Sequence, residues 1–183
     1  MHVEQRDFKN ALIQYQKCLK IFIRVYGCDH PKVAEVYHNM GTLYLRQGKN
    51  QEALKQYQIS LDIRIRVLGC NSLPVAESYH DIGTIYGAHD KYERKEQALE
   101  HYQKSLEIKI RVYGQDHPSV ANSKYYMGLV YVRHNEMVMA LDLFLECQKI
   151  YSKVHGPGHS VTVKAADAAL RTRQCLEESA LER

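Results

Sequence analysis

Most short motifs that would assign a chemistry at once are missing from this chain of 183 residues. It has no HExxH zinc-protease motif, no GxxxxGK[ST] phosphate-binding loop, no GxGxxG after a strand and no GxSxG nucleophile turn. These motifs fix a metal, a phosphate group or a nucleophile in the enzymes that carry them. We therefore predict that the protein is not an enzyme and needs no cofactor.

Cysteine and histidine do not form the clusters that bind metals. The five cysteines contain no CxxC pair, and an odd number cannot all be paired in disulfides. Among ten histidines, His38 and His80 are the only ones that we place together on one surface, and two imidazoles lack the further ligands that zinc needs. We predict no metal site. Free thiols suit a reducing compartment, and we expect Cys18 and Cys147 to be small core residues.

Signals for export, for a membrane and for nucleic acid are also scarce. The chain has no long apolar run, no signal-peptide-like start and no N-x-[ST] acceptor, so we predict neither secretion nor membrane insertion. The net charge is only +4, and lysine and arginine are scattered singly rather than gathered into a stripe, which argues against a nucleic-acid partner. We expect a cytoplasmic protein, with attachment to the cytoskeleton left open.

The chain does have a spacing that recurs. The pattern Y-x-x-M-G-x-x-Y over 37–44 is followed by A-x-x-x-Y over 53–57, and it returns in whole or in part three times. A glycine inside a helix costs about 1 kcal/mol relative to alanine, so its return at Gly83 and Gly128 needs a steric reason. The pattern therefore predicts pairs of helices that approach closely at these glycines.

Four further glycines divide the chain into units. Gly27, Gly69, Gly114 and Gly156 are separated by 42, 45 and 42 residues, and each should end a helix. Asp29 or His30 could cap the helix that follows Gly27. We predict one array over 1–183, divided into the second helix of a truncated repeat at 4–27, repeats at 32–69, 74–114 and 118–156, and a terminal helix at 159–183.

The units are not all alike. Three extra residues in the middle unit lie between Gly87 and Ala98, where we predict a longer turn or an extended helix end that faces solvent. The array opens in the middle of a unit, which indicates either a fragment of a longer chain or an unusual cap.

Two segments carry a longer shared pattern. L-x-I-x5-G-x-D-H-P-x-V-A occurs over 19–34 and again over 106–121. These repeats resemble the 42-residue tetratricopeptide repeats of kinesin light chains and their relatives, and the resemblance covers residues 8 to 170. It implies an all-α fold, a right-handed superhelical solenoid of antiparallel helix pairs with about eight helices. The first helices would line a concave groove.

The groove-facing residues follow from aligning the three mid-helix glycines. Core-facing positions of the first unit are Tyr37, Met40 and Tyr44, and the opposite stripe should face the groove. We predict that the groove is lined by Glu35, His38, Thr42, Leu45, Arg46, Glu77, His80, Thr84, Ala88, Asn122, Tyr125, Leu129, Val132 and Arg133, and that the terminal helix adds Lys164, Asp167 and Arg171. Apolar residues mixed with both signs of charge suit a peptide better than a phosphate backbone.

Three hypotheses about function follow. The first is a scaffold or adaptor that holds a peptide segment of a partner protein in its groove, as the resemblance to kinesin light chain cargo-binding repeats implies. The second is an architectural solenoid segment of a larger cytoskeletal or ciliary assembly, with contacts on the convex face and at the 87–97 insertion. The third is a regulatory sensor array that passes a change of superhelix pitch to another domain.

Overall fold

The computed structural model describes residues 2–88 and 92–181, apart from the side chains of residues 2–6, 92 and 93. Within these ranges the chain forms helices and no strand, so the predicted all-α class is confirmed. Eight helices are described: α1 His2–Tyr26, α2 Pro31–Arg46, α3 Asn50–Leu68, α4 Leu73–Gly87, α5 Tyr92–Tyr113, α6 Pro118–Arg133, α7 Met137–His155 and α8 Ser160–Leu181.

The helices group into two compact units, Met1–Ile85 and Tyr86–Arg183. In the first unit α2 packs against α1 and α3, and its core centres on Val33, Ala34 and Ile63. In the second unit α6 packs against α5 and α7, and α7 packs against α8. One cluster of this second core joins Ala121, Cys147 and Ile150 to Ala165 of α8, and every described helix of the unit contributes to at least one such apolar cluster.

Mid-helix glycines allow this close packing. A Cβ atom built on Gly41 would lie 2.8 Å from the Tyr57 ring, and one on Gly128 would lie 2.6 Å from the Phe144 ring. Both distances are shorter than carbon atoms tolerate, so the predicted steric reason for these glycines is confirmed. Gly83, the equivalent residue of α4, is buried. Gly87 makes a further close approach that we did not predict, because a Cβ there would lie 2.9 Å from Val130.

Histidine, not aspartate, caps the helix after each D-H-P loop. His30 Nδ1 accepts a hydrogen bond from the Lys32 amide at 3.2 Å, and the imidazole stacks on Tyr26 with ring centroids 4.4 Å apart. Asp29 instead accepts from the Arg66 guanidinium near the end of α3, at 2.7 Å. This ion pair connects the loop before α2 to the end of α3.

Histidine and aspartate have the same roles at the second D-H-P loop, two repeats later. His117 Nδ1 accepts from the Ser119 amide at 3.1 Å, the His117 ring stacks on Tyr113, and Asp116 pairs with Lys153. The motif therefore combines an N-cap, an aromatic stack and an ion pair in three residues. The preceding glycine adopts a positive φ of +81° at Gly114, which a residue with a side chain would enter only with strain.

The insertion of the middle unit extends a helix. Helix α5 has 22 residues, whereas the equivalent helices α3 and α7 have 19 each. Residues 89–91, including Lys91, lie outside the described residues. The expectation that the insertion simply faces solvent is wrong at Lys95, which is buried and whose Nζ donates to Glu136 at 2.5 Å. This contact holds the start of α5 against the α6–α7 turn.

The two predicted core thiols behave differently. Cys147 is fully buried, and its Sγ donates to the Ala121 carbonyl at 3.0 Å. Cys18 is exposed, so its predicted burial is wrong. The reason is that α6 covers Cys147, whereas no described residue forms a helix over the corresponding face of α1.

Candidate peptide-binding surface

The predicted groove residues lie on α2, α4 and α6 or, for Ala88, just beyond the end of α4. Exposed side chains are those of Glu35, Arg46, Glu77, Ala88, Asn122, Leu129 and Arg133. Half-buried side chains are those of His38, Thr42, Leu45, His80, Thr84, Tyr125 and Val132. None of the fourteen is fully buried, so all keep some surface on which a ligand can bind. The structure gathers some of them into two cavities, one in each compact unit.

The larger cavity, of about 650 Å³, lies in the second unit between α6 and α8. Its floor includes Phe144 of α7, whose ring also closes against Gly128. The full lining is Tyr125, Leu129, Val132, Phe144, Ser160, Val163, Lys164, Asp167, Ala168, Arg171 and Thr172. Three predicted α6 residues and the three charged α8 residues that we placed beside them therefore share one site.

The chemistry of this cavity is an apolar interior beside exposed charges. Leu129, Val132 and Val163 supply aliphatic surface, and Lys164 Nζ lies 5.0 Å from the centroid of the Tyr125 ring. Burial raises the pKa of the Tyr125 hydroxyl, which keeps the phenol neutral at pH 7. Two cations, Lys164 and Arg171, stand beside one carboxylate in the lining. The site can therefore hold an apolar side chain and favours a negative charge next to it.

A smaller cavity, of about 370 Å³, lies in the first unit. It brings together Glu35, His38 and Glu77 from the predicted set, and is lined in addition by Pro31, Asn39, Arg64, Leu68 and Pro74. Arg64 is the functional candidate that we missed. Its Nη1 donates to the Pro74 carbonyl at 2.6 Å and to Ser78 Oγ at 2.9 Å, and it lies 3.8 Å from the Glu77 carboxylate.

A signal for Arg64 was present in the repeat pattern. Lys109 stands at the same position of the next unit, and its Nζ donates to Ser123 Oγ at 2.9 Å, as Arg64 does to Ser78. A basic residue on a second helix and a serine on the following first helix therefore recur together. Burial lowers the pKa of Arg64, while the nearby carboxylates, Glu77 foremost, act in the opposite direction.

His38 is a half-buried titratable group of the predicted set. Its Nε2 lies 3.5 Å from the Asp81 carboxylate, and its ring packs on Tyr57 with centroids 5.2 Å apart. Burial, with the Arg64 charge added, lowers the pKa of His38 to about 4, and we take these effects to outweigh the attraction of Asp81. The imidazole is therefore neutral at pH 7, and its buried Nδ1 finds no hydrogen-bond partner among the side chains and backbone that the structure describes.

Other predicted residues lie outside these two cavities. Thr42 is engaged within the protein, since its Oγ1 bonds the Tyr57 hydroxyl at 3.0 Å and the His38 carbonyl at 3.2 Å. The residues that line neither of these two cavities are Thr42, Leu45, Arg46, His80, Thr84, Ala88, Asn122 and Arg133. Their role in binding stays a prediction.

Two further properties bear on chemistry. Among the side chains that the structure describes, no group of three histidine, cysteine, aspartate or glutamate residues is placed to hold a metal ion. None of the helices within 2–88 and 92–181 has the length and apolar character needed to cross a membrane.

Comparison with known families then gives an assignment. The family model for the tetratricopeptide repeat matches residues 1–64, 34–94 and 93–153. The chain belongs to the tetratricopeptide-repeat family. Kinesin light chain-like repeat proteins are among its structural neighbours. The tetratricopeptide fold supports a protein–protein interaction scaffold and is typically not catalytic.

Solved structures agree on the fold. The chain is similar to BtubC (BKLC) from P. vanneervenii, with a TM-score of 0.76 and 20% identity over 96% of this chain and 72% of that one. A Podosopora anserina protein assigned as a kinesin light chain with nearly identical TPR-like repeats gives 0.74 at 18% identity, over 97% and 84% of the two chains. MamA gives 0.53 at 21% identity, over 96% and 94%. No curated protein sequence matches the chain significantly. At these identities the likeness establishes the tetratricopeptide array and no specific partner.

Proposed function

We propose that this tetratricopeptide array is an adaptor that captures a peptide segment of a partner protein on the surface formed by its first helices. The observation that carries the proposal is the cavity between α6 and α8, where Tyr125, Leu129 and Val132 meet Lys164 and Arg171. An apolar cavity beside exposed charge is the usual form of a site that anchors one side chain of a peptide and fixes its direction by an ion pair.

The cavity favours a definite kind of peptide. Its volume of about 650 Å³ accommodates a large aliphatic or aromatic side chain, and the excess of cations favours a carboxylate on the peptide beside it. The kinesin light chain-like repeats lead us to propose a cargo-type role in the cytoplasm, which fractionation of cells expressing the chain tests directly.

A peptide-display selection against the chain tests this function. We expect the selected peptides to lose at least tenfold in affinity with Leu129→Asp, because the charge enters the apolar wall while the exposed site leaves stability unchanged. Lys164→Glu should weaken binding of acidic peptides in particular. Val138→Asp is the matched control, since Val138 is exposed on α7 and does not line the cavity. Selected peptides that bind Leu129→Asp as tightly as the unmodified chain would refute the groove assignment.

The architectural alternative is supported by a different surface. Val138 and Met139 are exposed, neighbouring apolar residues at the start of α7. A photo-crosslinker at position 138 that captures a partner in cells, while one at position 129 captures none, would favour this second function. Lys95 is unsuitable for such labelling because its amine is buried against Glu136. The regulatory-sensor hypothesis stays a prediction.

A further inference from the structure

The smaller cavity, in the first unit, carries more negative than positive charge. Glu35 of α2 and Glu77 of α4 stand at equivalent positions of its lining, each six residues before the mid-helix glycine of its helix. Against these two carboxylates the described lining sets one cation, the Arg64 guanidinium. His38 adds no charge at pH 7, because burial and the Arg64 charge lower its pKa to about 4. The cavity therefore has an excess of negative charge.

The Arg64 guanidinium is held at the α4 side of this cavity. The residue is only 7% exposed, and its Nη1 donates to the Pro74 carbonyl and to Ser78 Oγ. The Glu77 carboxylate lies 3.8 Å from the same nitrogen. Glu35, on the α2 side, forms no hydrogen bond or ion pair within the described part of the chain. The negative charge that Arg64 does not offset is therefore on the α2 wall.

Three side chains of the lining carry oxygen atoms that can accept hydrogen bonds from a cation. Asn39 stands one turn after Glu35 on α2, so the two face the cavity from the same side of that helix. Glu77 faces it from α4. An ammonium group has three N–H donors and no acceptor, so two carboxylates and one carboxamide can satisfy it.

The remaining part of the lining suits an aliphatic chain. Pro31, Leu68 and Pro74 supply apolar surface beside the charged groups. A lysine side chain combines a four-carbon stem with a terminal ammonium, and such stems lie along apolar surface while the charge stays near water. The cavity volume of about 370 Å³ is near the lower end for ligand cavities, which is suitable for one long side chain.

A divalent metal fits this cavity less well than an ammonium group. Among the side chains that the structure describes, no three histidine, cysteine, aspartate or glutamate residues are placed to hold a metal ion. The buried Arg64 charge also repels a double positive charge more strongly than a single one. A carboxylate would meet Glu35 and Glu77 with the same sign of charge.

We propose that the first-unit cavity binds the lysine side chain of a peptide, with the ammonium between Glu35 and Glu77 and the stem against Leu68. The assignment to a peptide, instead of a free polyamine with the same ammonium chemistry, rests on the function proposed above. The lining residues differ from those of the cavity between α6 and α8, so each site can be tested separately.

Nuclear magnetic resonance of the full chain tests this site. The probe is an acetylated and amidated Gly-Gly-Lys-Gly-Gly peptide, whose lysine carries its only charge. Its titration should shift the Asn39 side-chain amide and the backbone amides of Glu35 and Glu77, and the shifts should saturate at millimolar peptide. The same peptide with norleucine in place of lysine keeps the stem without the ammonium, and it should bind at least tenfold more weakly.

Matched variants test the assigned residues. Glu35→Gln removes one charge without breaking an ion pair or hydrogen bond within the described residues, and it should weaken binding of the lysine peptide about tenfold. Glu52→Gln is the control, since Glu52 is an exposed glutamate of α3 outside the cavity. In the Leu129→Asp chain the lysine peptide should still bind, because Leu129 lines the other cavity.

Several results would overturn the proposal. One is equal binding of the lysine and norleucine peptides, and another is equal binding of the lysine peptide by Glu35→Gln and Glu52→Gln. Spermidine that saturates the same shifts at a tenfold lower concentration would assign the cavity to a free polyamine, and calcium chloride that reproduces them at equal ionic strength would assign it to a metal. If the lysine peptide does not bind while selected peptides remain sensitive to Leu129→Asp, only this inference fails. The reverse pattern refutes only the cavity between α6 and α8.

Discussion

At the scale of single residues, Gly41 and Gly128 set how closely each first helix approaches its partner. The ring of Tyr57 or Phe144 occupies the space that a side chain would need. This contact is short-range and repeats with the sequence period, so the glycines were predictable from their spacing alone. The expectation that Gly83→Leu unfolds the middle of the array rests on the same alignment and stays a prediction.

We expect Gly128→Leu to destabilise the chain by about 1–3 kcal/mol, because overpacking forces Phe144 and its neighbours to move. For a chain of this size the melting temperature should fall by several degrees, since about 1 kcal/mol corresponds to roughly 2–4 °C. Gly158→Ala is the control, because no atom lies within 4 Å of a Cβ there. Equal melting curves for the two variants would contradict the packing described for α6 and α7.

His38 should make stability depend on pH. Its pKa is about 4 in the folded chain and 6.5 in the unfolded one, so the unfolded state binds the proton more tightly. Its contribution is therefore complete above pH 6.5 and is lost as the pH falls towards 4. We expect a loss of about 1–3 kcal/mol across this window, since one pKa unit is worth about 1.4 kcal/mol and Asp81 offsets part of it.

Urea unfolding of the chain and of His38→Gln at pH 7 and pH 4.5 measures this effect. The variant should lose less stability between the two pH values than the unmodified chain. A His38→Gln chain with the full pH dependence would assign the effect to other groups.

Cys18 shows what a residue-scale pattern does not contain. It stands at the same repeat position as Cys147, yet it is exposed because burial depends on a helix from elsewhere in the chain. Arg64 is a second residue whose contacts the local sequence does not reveal. Its pairing with Ser78 joins residues that are 14 positions apart, and only the aligned Lys109–Ser123 pair reveals it.

At the scale of helices and loops, the D-H-P motif explains where each first helix begins. The histidine caps the helix and stacks on the tyrosine before the loop, while the aspartate pairs with the next second helix. From sequence alone Asp29 and His30 were equal candidates for the cap. The choice between them depends on Arg66, which is 37 residues away from Asp29 and so does not appear in any local pattern.

Removing the cap should cost a measurable amount. We expect His117→Ala to destabilise the chain by about 1 kcal/mol, the usual value for a lost N-cap, and His117→Asn to recover part of this because its side chain accepts the same amide bond. Chemical denaturation monitored by circular dichroism measures both. Gln115→Ala in the same exposed loop is the control, and an equal loss there would mean that the loop, not the cap, is responsible.

Helix α5 shows how one helix can be longer than the equivalent helices of the other repeats. The spacing showed that three residues had been added, but a longer turn and a longer helix were equally consistent with it. The contact of Lys95 with Glu136 favours the helix, because it fixes the start of α5 against a neighbouring turn. Such a contact joins residues of two successive repeats and cannot be read from the spacing of one repeat.

At the scale of the whole molecule, the repeat pattern and the family resemblance together predicted the all-α class and about eight helices, in agreement with the described residues. The cavity between α6 and α8 was predictable in part, because Tyr125, Leu129 and Val132 were predicted to share a surface with Lys164 and Arg171. Its floor, Phe144, was not, because the ring belongs to α7 and reaches the site through the gap that Gly128 leaves.

The cysteines provide a test of global opening. Burial raises the pKa of the Cys147 thiol to about 12, so it should resist alkylation in the folded chain, while Cys18, Cys28, Cys70 and Cys175 react quickly. We expect Cys147 to react only as fast as the second unit unfolds, and to follow the unfolding curve in urea. Rapid reaction of Cys147 under native conditions would show that α6 does not cover α7 as described.

Leu170 of α8 is exposed and stands at the position that Gly128 has in α6, which limits how this protein can be lengthened by duplicating its repeats. If a copy that starts with a second helix were joined after Leu181, its aromatic residue at the position of Phe144 would meet Leu170 instead of a glycine. The junction would then be strained. Splicing the copy at Gly114 instead keeps a glycine-bearing helix beside every aromatic residue. The preferred joint for engineered extension is therefore inside the chain.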